Sequence, residues 1–402
     1  MADVLTPSQW AVALTRWLAL GFTWLLLGMF LLPTSKLYQQ GLIVFLWLPG
    51  LLALFTAPAV RRAWDALLLS LFALSVLWAG LSISWGGAED RYKELLYICL
   101  AVNSVVALAA LNSRLLWQVL LGCTVLGGIL VWWSLFYFYV LQNQPLASRV
   151  VGTGLLNHTI LASHVVGVMG LVVLFMRSWL SPCLQRWLWM VACLGCLVFL
   201  LMSRSKGPAL ALVVCLALSG LWMASRRAWM AGCMVFLIAL LGAWLLPEQF
   251  LRGGLSYRPQ LLEQAWMLWS TNPWQGLGVG TDYQLHIVEL GINFEHAHNL
   301  YMHLALQLGV VGLLLWLALQ AAVAWSAWSA RDSVPGQVLC ALCCFSMVAL
   351  LTDGIGPWVK PREEWFTVWL PIFLGFALAA DRKLRLNMRD AGGQDLAVSR
   401  DK

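Results

Sequence analysis

Charge is what this sequence has least of. Of its 402 residues, 11% are Asp, Glu, Lys or Arg and 61% are hydrophobic. Soluble domains carry about 25% charged residues, so a water-soluble globule is excluded. The mean hydropathy of +0.79 points the same way. A cleavable leader is not expected either. The first apolar run, residues 17–32, is too long for a signal-peptide core, and no small-x-small site follows it. It is expected to stay as the first span. The net charge of +7 comes from basic residues scattered one or two per connection, without a basic stripe or nucleic-acid motif, so no nucleic-acid partner is expected. Repeats of fixed period and low-complexity segments are absent as well.

Metal signatures are scarce. There is no His-Glu-x-x-His and no Asp-x-Asp, and the ten cysteines fall almost entirely inside apolar runs. Cys193-x-x-Cys196 sits mid-run without a nearby histidine, which makes it a pair of small buried hydrophobes. No metal and no cofactor are expected.

What the chain has in abundance is apolar runs near the ~20 residues that a spanning helix needs. Twelve are found: 14–32, 41–57, 64–85, 95–111, 115–141, 155–176, 187–202, 208–224, 228–246, 300–328, 338–352 and 365–380. Turn chemistry separates them, as at Pro33-Thr34-Ser35, Asn112-Ser113 and Ser333-Val334-Pro335-Gly336. Many of the 25 tryptophans lie near run ends, as interfacial anchors do. The expected fold is an all-α integral membrane protein of about twelve transmembrane helices. It forms one polytopic domain over 1–402, with a long loop at 247–299 between spans nine and ten and a polar tail at 381–402.

Connections alternate sides. One set holds Arg61-Arg62, Arg114, Arg177, Arg186, Arg226-Arg227, Arg331 and Arg382-Lys383-Arg385; the other holds most of the acids. The positive-inside rule puts the basic set and both termini in the cytoplasm, and the long loop in the periplasm of a bacterial inner membrane. Some cations oppose that rule: Arg149, Arg204, Lys206, Arg252, Arg258, Lys360 and Arg362. Ordinary loop charge or lipid contact accounts for some of them. Arg204 and Lys206 share one tight connection, Ser203-Arg204-Ser205-Lys206-Gly207-Pro208, placed to face an anion at headgroup depth.

The long loop is the one extended polar stretch. Its residues 259–270 carry Leu261, Leu262, Ala265, Trp266, Leu268 and Trp269 at helical spacing, which predicts a short amphipathic helix with Arg258 at its N-terminal edge. Gly276-x-Gly278-x-Gly280 follows a helix rather than a strand, so a tight turn is expected and a dinucleotide fold is not. Then comes Glu295-His296-Ala297-His298-Asn299, directly before an apolar run at Leu300. Asn299 has the chemistry of a helix N-cap. A histidine beside it can accept a proton near neutrality, which suits a general base better than a metal ligand.

A base among external cations suits a substrate that arrives already activated on a lipid, since the periplasm lacks ATP and nucleotide sugars. Arginines would hold the pyrophosphate of a polyprenyl carrier while the base deprotonates an attacking sugar hydroxyl. One direct displacement inverts the anomeric centre.

These residues resemble the bacterial O-antigen ligases, in the superfamily that also holds O-antigen polymerases and protein O-oligosaccharyltransferases. The resemblance spans nearly the whole chain. It is carried most by Ser203-Arg204-Ser205-Lys206-Gly207 and by the stretch from Arg258 through Asn272-Pro273-Trp274-Gln275-Gly276-Leu277-Gly278 to His296-Ala297-His298-Asn299-Leu300-Tyr301 and Gly309-x-x-Gly312. It implies a glycosyltransferase C-like fold with Arg204, Arg258 and His298 in catalysis. It also implies transfer of O-antigen from undecaprenyl pyrophosphate to a sugar of the lipid A–core. Lys206, Arg252, Arg149, His296, Asn299, Tyr301, Lys360 and Arg362 are the candidate substrate contacts. A single long loop favours a ligase over a polymerase, and the lack of a large C-terminal region disfavours a protein acceptor. A polysaccharide or lipid transporter is the other class; it would place charges within the spans.

Overall fold

Backbone polar groups in hydrocarbon must be satisfied internally, and this chain does so with helices. The computed structural model describes residues 7–180, 184–245, 257–287 and 291–398. The helices are α1 (Pro7–Leu31), α2 (Ser35–Thr56), α3 (Ala66–Gly86), α4 (Tyr92–Phe136), α5 (Thr159–Phe175), α6 (Leu184–Ser203), α7 (Lys206–Leu218), α8 (Arg226–Leu245), α9 (Arg258–Trp269), α10 (Leu300–Ser329), α11 (Val334–Thr352) and α12 (Leu370–Val398). A two-stranded antiparallel hairpin, β1 (Leu285–Ile287) and β2 (Ile292–Phe294), lies in the long loop.

Among the described residues, nine helices are long and apolar enough to cross a membrane. The difference from twelve has three sources. Runs 95–111 and 115–141 are two helices that meet end to end at a kink and count as one element: Asn112 leaves helical geometry (φ −160°), and its Oδ1 caps Leu115 N at 2.9 Å and starts the second helix at once. Run 155–176 becomes α5, only 17 residues long. Run 365–380 is divided between a short turn, Trp365–Val368, and the start of α12. The expected polar tail continues α12 as helix to Val398, with Arg385 paired to Asp381 at 3.0 Å one turn away.

The centre of the molecule is α4, against which α1, α2, α5, α6 and α12 pack. α10 packs against α3, α11 and α12. A buried aromatic group of Trp316, Trp358, Trp369 and Phe373 joins α10 to α12. One of its members and a neighbour also clamp the segment 353–364. Trp369 Nε1 donates to Pro357 O at 2.7 Å, and Trp365 Nε1 donates to Val359 O at 3.1 Å.

The long loop is built into the helices rather than laid over them. Within α10, Gly309 breaks the helix at φ +65°. The carbonyls freed there are taken by the loop: Leu277 N bonds Leu306 O and Gly278 N bonds Gln307 O, each at 2.8 Å. Trp78 Nε1 of α3 takes Leu308 O at 2.9 Å. In return Val310 N donates to Pro273 O. A side chain at Gly309 would strike Trp274 O, so only glycine allows this approach. The Gly276-to-Gly280 turn is therefore a packing element whose N–H groups from Gly276 to Val279 are spent on protein acceptors. Helix α9 buries Leu261 and Ala265 in a small core with Tyr283, Leu285, Ile287, Ala297 and Leu306, while Leu262 and Trp266 point outward. The expected apolar stripe is thus narrower than its spacing implied.

Candidate active site

Helix ends define the site. Asn299 is the N-cap of α10, its Oδ1 accepting Met302 N at 3.1 Å. The residue before it, His298, is forced to φ +48°. Such left-handed backbone is uncommon for a residue with a side chain and marks a position held by its surroundings. That turn aims the imidazole at the far end of α11. There Asp353, its C-cap residue, places Oδ1 3.1 Å from His298 Nδ1. Oδ1 also accepts Gly354 N at 3.0 Å. The carboxylate is 8% exposed and the imidazole 25%, so the pair has one wet side and one dry side.

The wet side opens on a cavity of about 710 Å³. His296, His298 and His303 reach it from the loop and α10, and Lys360, Arg362 and Glu364 from the segment after α11. Arg91 and Glu94 from the start of α4, His158 from the N-cap of α5, and Asp282 and Glu295 from the long loop also line it. The His296 and His298 rings lie 4.0 Å apart. Burial, with His298 nearby, pushes the His296 imidazole down to about 4, so it is neutral at pH 7. For Asp353, burial raises the carboxyl. The hydrogen bond from His298 and the nearby histidine charges outweigh it and hold the carboxyl below its usual range. Glu364 goes the other way: burial lifts it to about 7, although Arg362 Nε stands 2.7 Å from its Oε2. The pocket thus holds an ionised carboxylate and a carboxyl poised near neutrality.

His298, His296, Lys360 and Arg362 are the sequence candidates that the structure gathers into one cavity. Asn299 is occupied as a cap, and Tyr301 is half-buried against the main core. Arg204 and Lys206 are exposed outside this cavity. Arg204, itself at φ +51°, donates through Nη1 to Ala147 O at 2.9 Å. Arg149 is spent on the same turn: Nε donates to Ser203 O at 2.9 Å and Nη2 to Ser205 Oγ at 3.2 Å. Arg258 donates from Nε to Thr352 O at 2.9 Å, one residue before Asp353. Gly207 packs onto the Thr352 side chain. The arginine turn, Arg258 and the His298–Asp353 pair therefore meet around the last turn of α11. Arg252 lies outside the described residues.

His158 escaped the sequence reading, though it carries the same signal as His298, a polar residue at the threshold of an apolar run. The Arg91–Glu94 ion pair, 3.0 Å long, escaped it too, because each residue alone is an ordinary loop charge.

A profile of the O-antigen ligase family matches residues 189–317. The chain is 30% identical over 401 residues to a protein of Pseudomonas aeruginosa strain PAO1 described as "O-antigen ligase", and the match covers 96% of each chain. This chain belongs to the O-antigen ligase family. The matched segment runs from α6 through the arginine turn and the long loop into α10, so it includes Arg204, Arg258 and His298 but stops short of Asp353 and Glu364. In this member of the family, the acid beside the histidine comes from outside that segment.

One further arrangement is open to the same corner. His296, His298 and Asp353 offer three ligand atoms within 4.8 Å of one another. Two imidazoles and a carboxylate are a donor set that a divalent cation accepts, against the metal-free expectation.

Proposed function

We propose that this chain transfers an O-antigen glycan from undecaprenyl pyrophosphate to a sugar hydroxyl of the lipid A–core, on the periplasmic face of the inner membrane. The observation that carries the reading is the His298–Asp353 pair at 3.1 Å, opening on a cavity lined by Lys360, Arg362 and Arg91. With Asp353 holding Nδ1–H, the other ring nitrogen is an acceptor. It takes the proton of the acceptor hydroxyl as that oxygen bonds to the anomeric carbon. The bond from the anomeric carbon to the pyrophosphate oxygen breaks, and its electron pair leaves with the carrier. The imidazolium that forms is stabilised by the Asp353 carboxylate. A single displacement inverts the anomeric configuration.

Negative charge grows on the pyrophosphate as it leaves, so cations must be close. Arg258, bonded to Thr352 O, and the turn that carries Arg204 and Lys206, whose Gly207 packs on the Thr352 side chain, form a donor edge behind Asp353. Lys360 and Arg362 face the acceptor side.

The ligand triad favours a second reading, in which a divalent cation sits between His296, His298 and Asp353 and His298 cannot serve as a free base. One experiment separates the two. Purified protein in liposomes receives polyprenyl-pyrophosphate-linked glycan and lipid A–core, with and without EDTA. A glycan-bearing lipid A–core band that EDTA leaves unchanged supports the histidine base. Loss on chelation with rescue by added divalent cation overturns it. Growth of the glycan on its own carrier, without transfer to lipid A–core, would make the chain a polymerase.

A further inference from the structure

At about 1.5 Å rise per residue, the 19 residues of α11 span ~28 Å, so its Val334 end and its Asp353 end lie at opposite membrane faces. The face away from the histidines holds a second cavity, of about 880 Å³. It lies where the ends of α5 and α6 meet α7 and α8. Arg177, Arg186 and Arg227 converge on it from three separate segments. No Asp or Glu is among its lining residues, and none pairs with these three arginines among the described residues. The Arg177 guanidinium is stacked 4.7 Å over the Trp189 ring, which fixes its direction. Ser178, Ser225 and Gln337 add hydrogen-bonding groups.

Below this polar rim the lining turns apolar, with Phe175, Leu216, Ala231 and Val235. The cleft exists because α8 stands apart. It is the least buried of the candidate spans, at 11%, and it packs mainly on α7, where Gly232 lets it approach the backbone at Leu216 and Ala217. Its outward face of Met230, Met234, Leu237, Leu241 and Trp244 is left to hydrocarbon. Positive-inside topology explains why arginines lie on this face, but it does not require three of them to share one acid-free cavity.

We propose that this cavity binds an anionic phospholipid of the adjoining leaflet, its phosphate among Arg177, Arg186 and Arg227 and its acyl chains in the cleft between α7, α8 and the ends of α5 and α6. The phosphate fits the arginines' charge and forked donors. The apolar floor distinguishes a lipid from a free phosphate. A basic pocket between transmembrane helices is a recurring headgroup site. This inference is independent of the transfer chemistry: it needs neither His298 nor the glycan substrates.

The test is native mass spectrometry of the full-length protein in detergent, titrated with phosphatidylglycerol or with phosphatidylcholine of the same acyl chains. Wild type should retain phosphatidylglycerol preferentially. Each of Arg177→Ala, Arg186→Ala and Arg227→Ala should weaken that retention about fivefold, and the triple variant should bind the two lipids alike. The triple Arg→Lys variant keeps the charge and should keep the preference, which separates binding from folding. Ala228→Phe narrows the cavity without touching charge and should lower retention of the bound lipid. Arg62→Ala, outside the cavity, should change nothing. Undiminished preference in the triple alanine variant overturns the site. Displacement of phosphatidylglycerol by millimolar inorganic phosphate, with phosphate itself retained, overturns the lipid assignment.

Discussion

Two charged regions lie within a few residues of Thr352, and they use their charge in opposite ways. In the turn 203–207 the guanidiniums of Arg149 and Arg204 are bonded to carbonyls of the chain itself. In the histidine cavity, His298 and Lys360 line open space, and His298 is joined at 3.1 Å to a carboxylate that can share its proton. The first region is fastened and the second is poised. A group whose hydrogen bonds are filled by backbone shapes a surface; one aimed into a cavity with a polarised partner can act on a substrate.

The contrast is sharpest at His298. Replacing it by Ala should lower kcat by about 10²–10⁴-fold, the usual range for a general base, while donor and acceptor KM stay within a few-fold. The readout is the initial rate of labelled glycan transfer in liposomes. Asp353→Asn should fall in kcat by about 10²-fold, because an amide holds the imidazole without stabilising its charge. If the two act as one unit, the double variant should be no slower than His298→Ala alone. Full additivity would mean that Asp353 works elsewhere.

The arginines should behave differently. Arg258→Ala and Arg204→Ala should raise donor KM more than acceptor KM, with a loss of about 2–3 kcal/mol in kcat/KM if each meets a desolvated phosphate. Arg149→Ala should instead lower the melting temperature and weaken both substrates together, since it ties the turn to the chain. If Arg204→Ala follows the Arg149 pattern, its bond to Ala147 O is its whole purpose and it leaves the donor edge.

Much of this layout was legible in advance, and the rest was hidden for definite reasons. Apolar runs of span length name most helices, because hydrocarbon demands them. Asn299 as a cap follows from its chemistry and place. The break at Gly309 could not be seen: it lies inside the unbroken apolar run 300–328, and only the loop backbone docking there explains it. The partner of His298 was hidden by a separation of 55 residues, since composition shows which acids are external but not which one meets a histidine. The direction of Arg204 was hidden for a related reason. Its charge opposes the topology rule, yet a residue at φ +51° sends its side chain where the turn dictates, toward Ala147.

The smallest effect concerns Glu364, and it tests the poised region through stability rather than rate. Burial favours the neutral carboxyl, raising Glu364 from an ordinary 4.5 to about 7 despite Arg362. A group whose folded-state pKa is raised contributes stability that is fully present below its unfolded value and is lost as pH rises through the folded one. Between pH 5.5 and 8.5 the ionisation of Glu364 should therefore lower the melting temperature of the wild type, by a few degrees in a chain of this size. His296 works the other way in the lower part of that window, because the unfolded imidazole takes a proton below ~6.5 that the folded one, held near 4, refuses. Glu364→Gln keeps the His296 contribution but cannot ionise, so the gap between the two melting curves isolates Glu364 and should change across that window. A parallel slope in the two proteins would mean that Arg362, at 2.7 Å, keeps Glu364 ionised throughout. The cavity would then hold Glu364, like Asp353, as an ionised carboxylate.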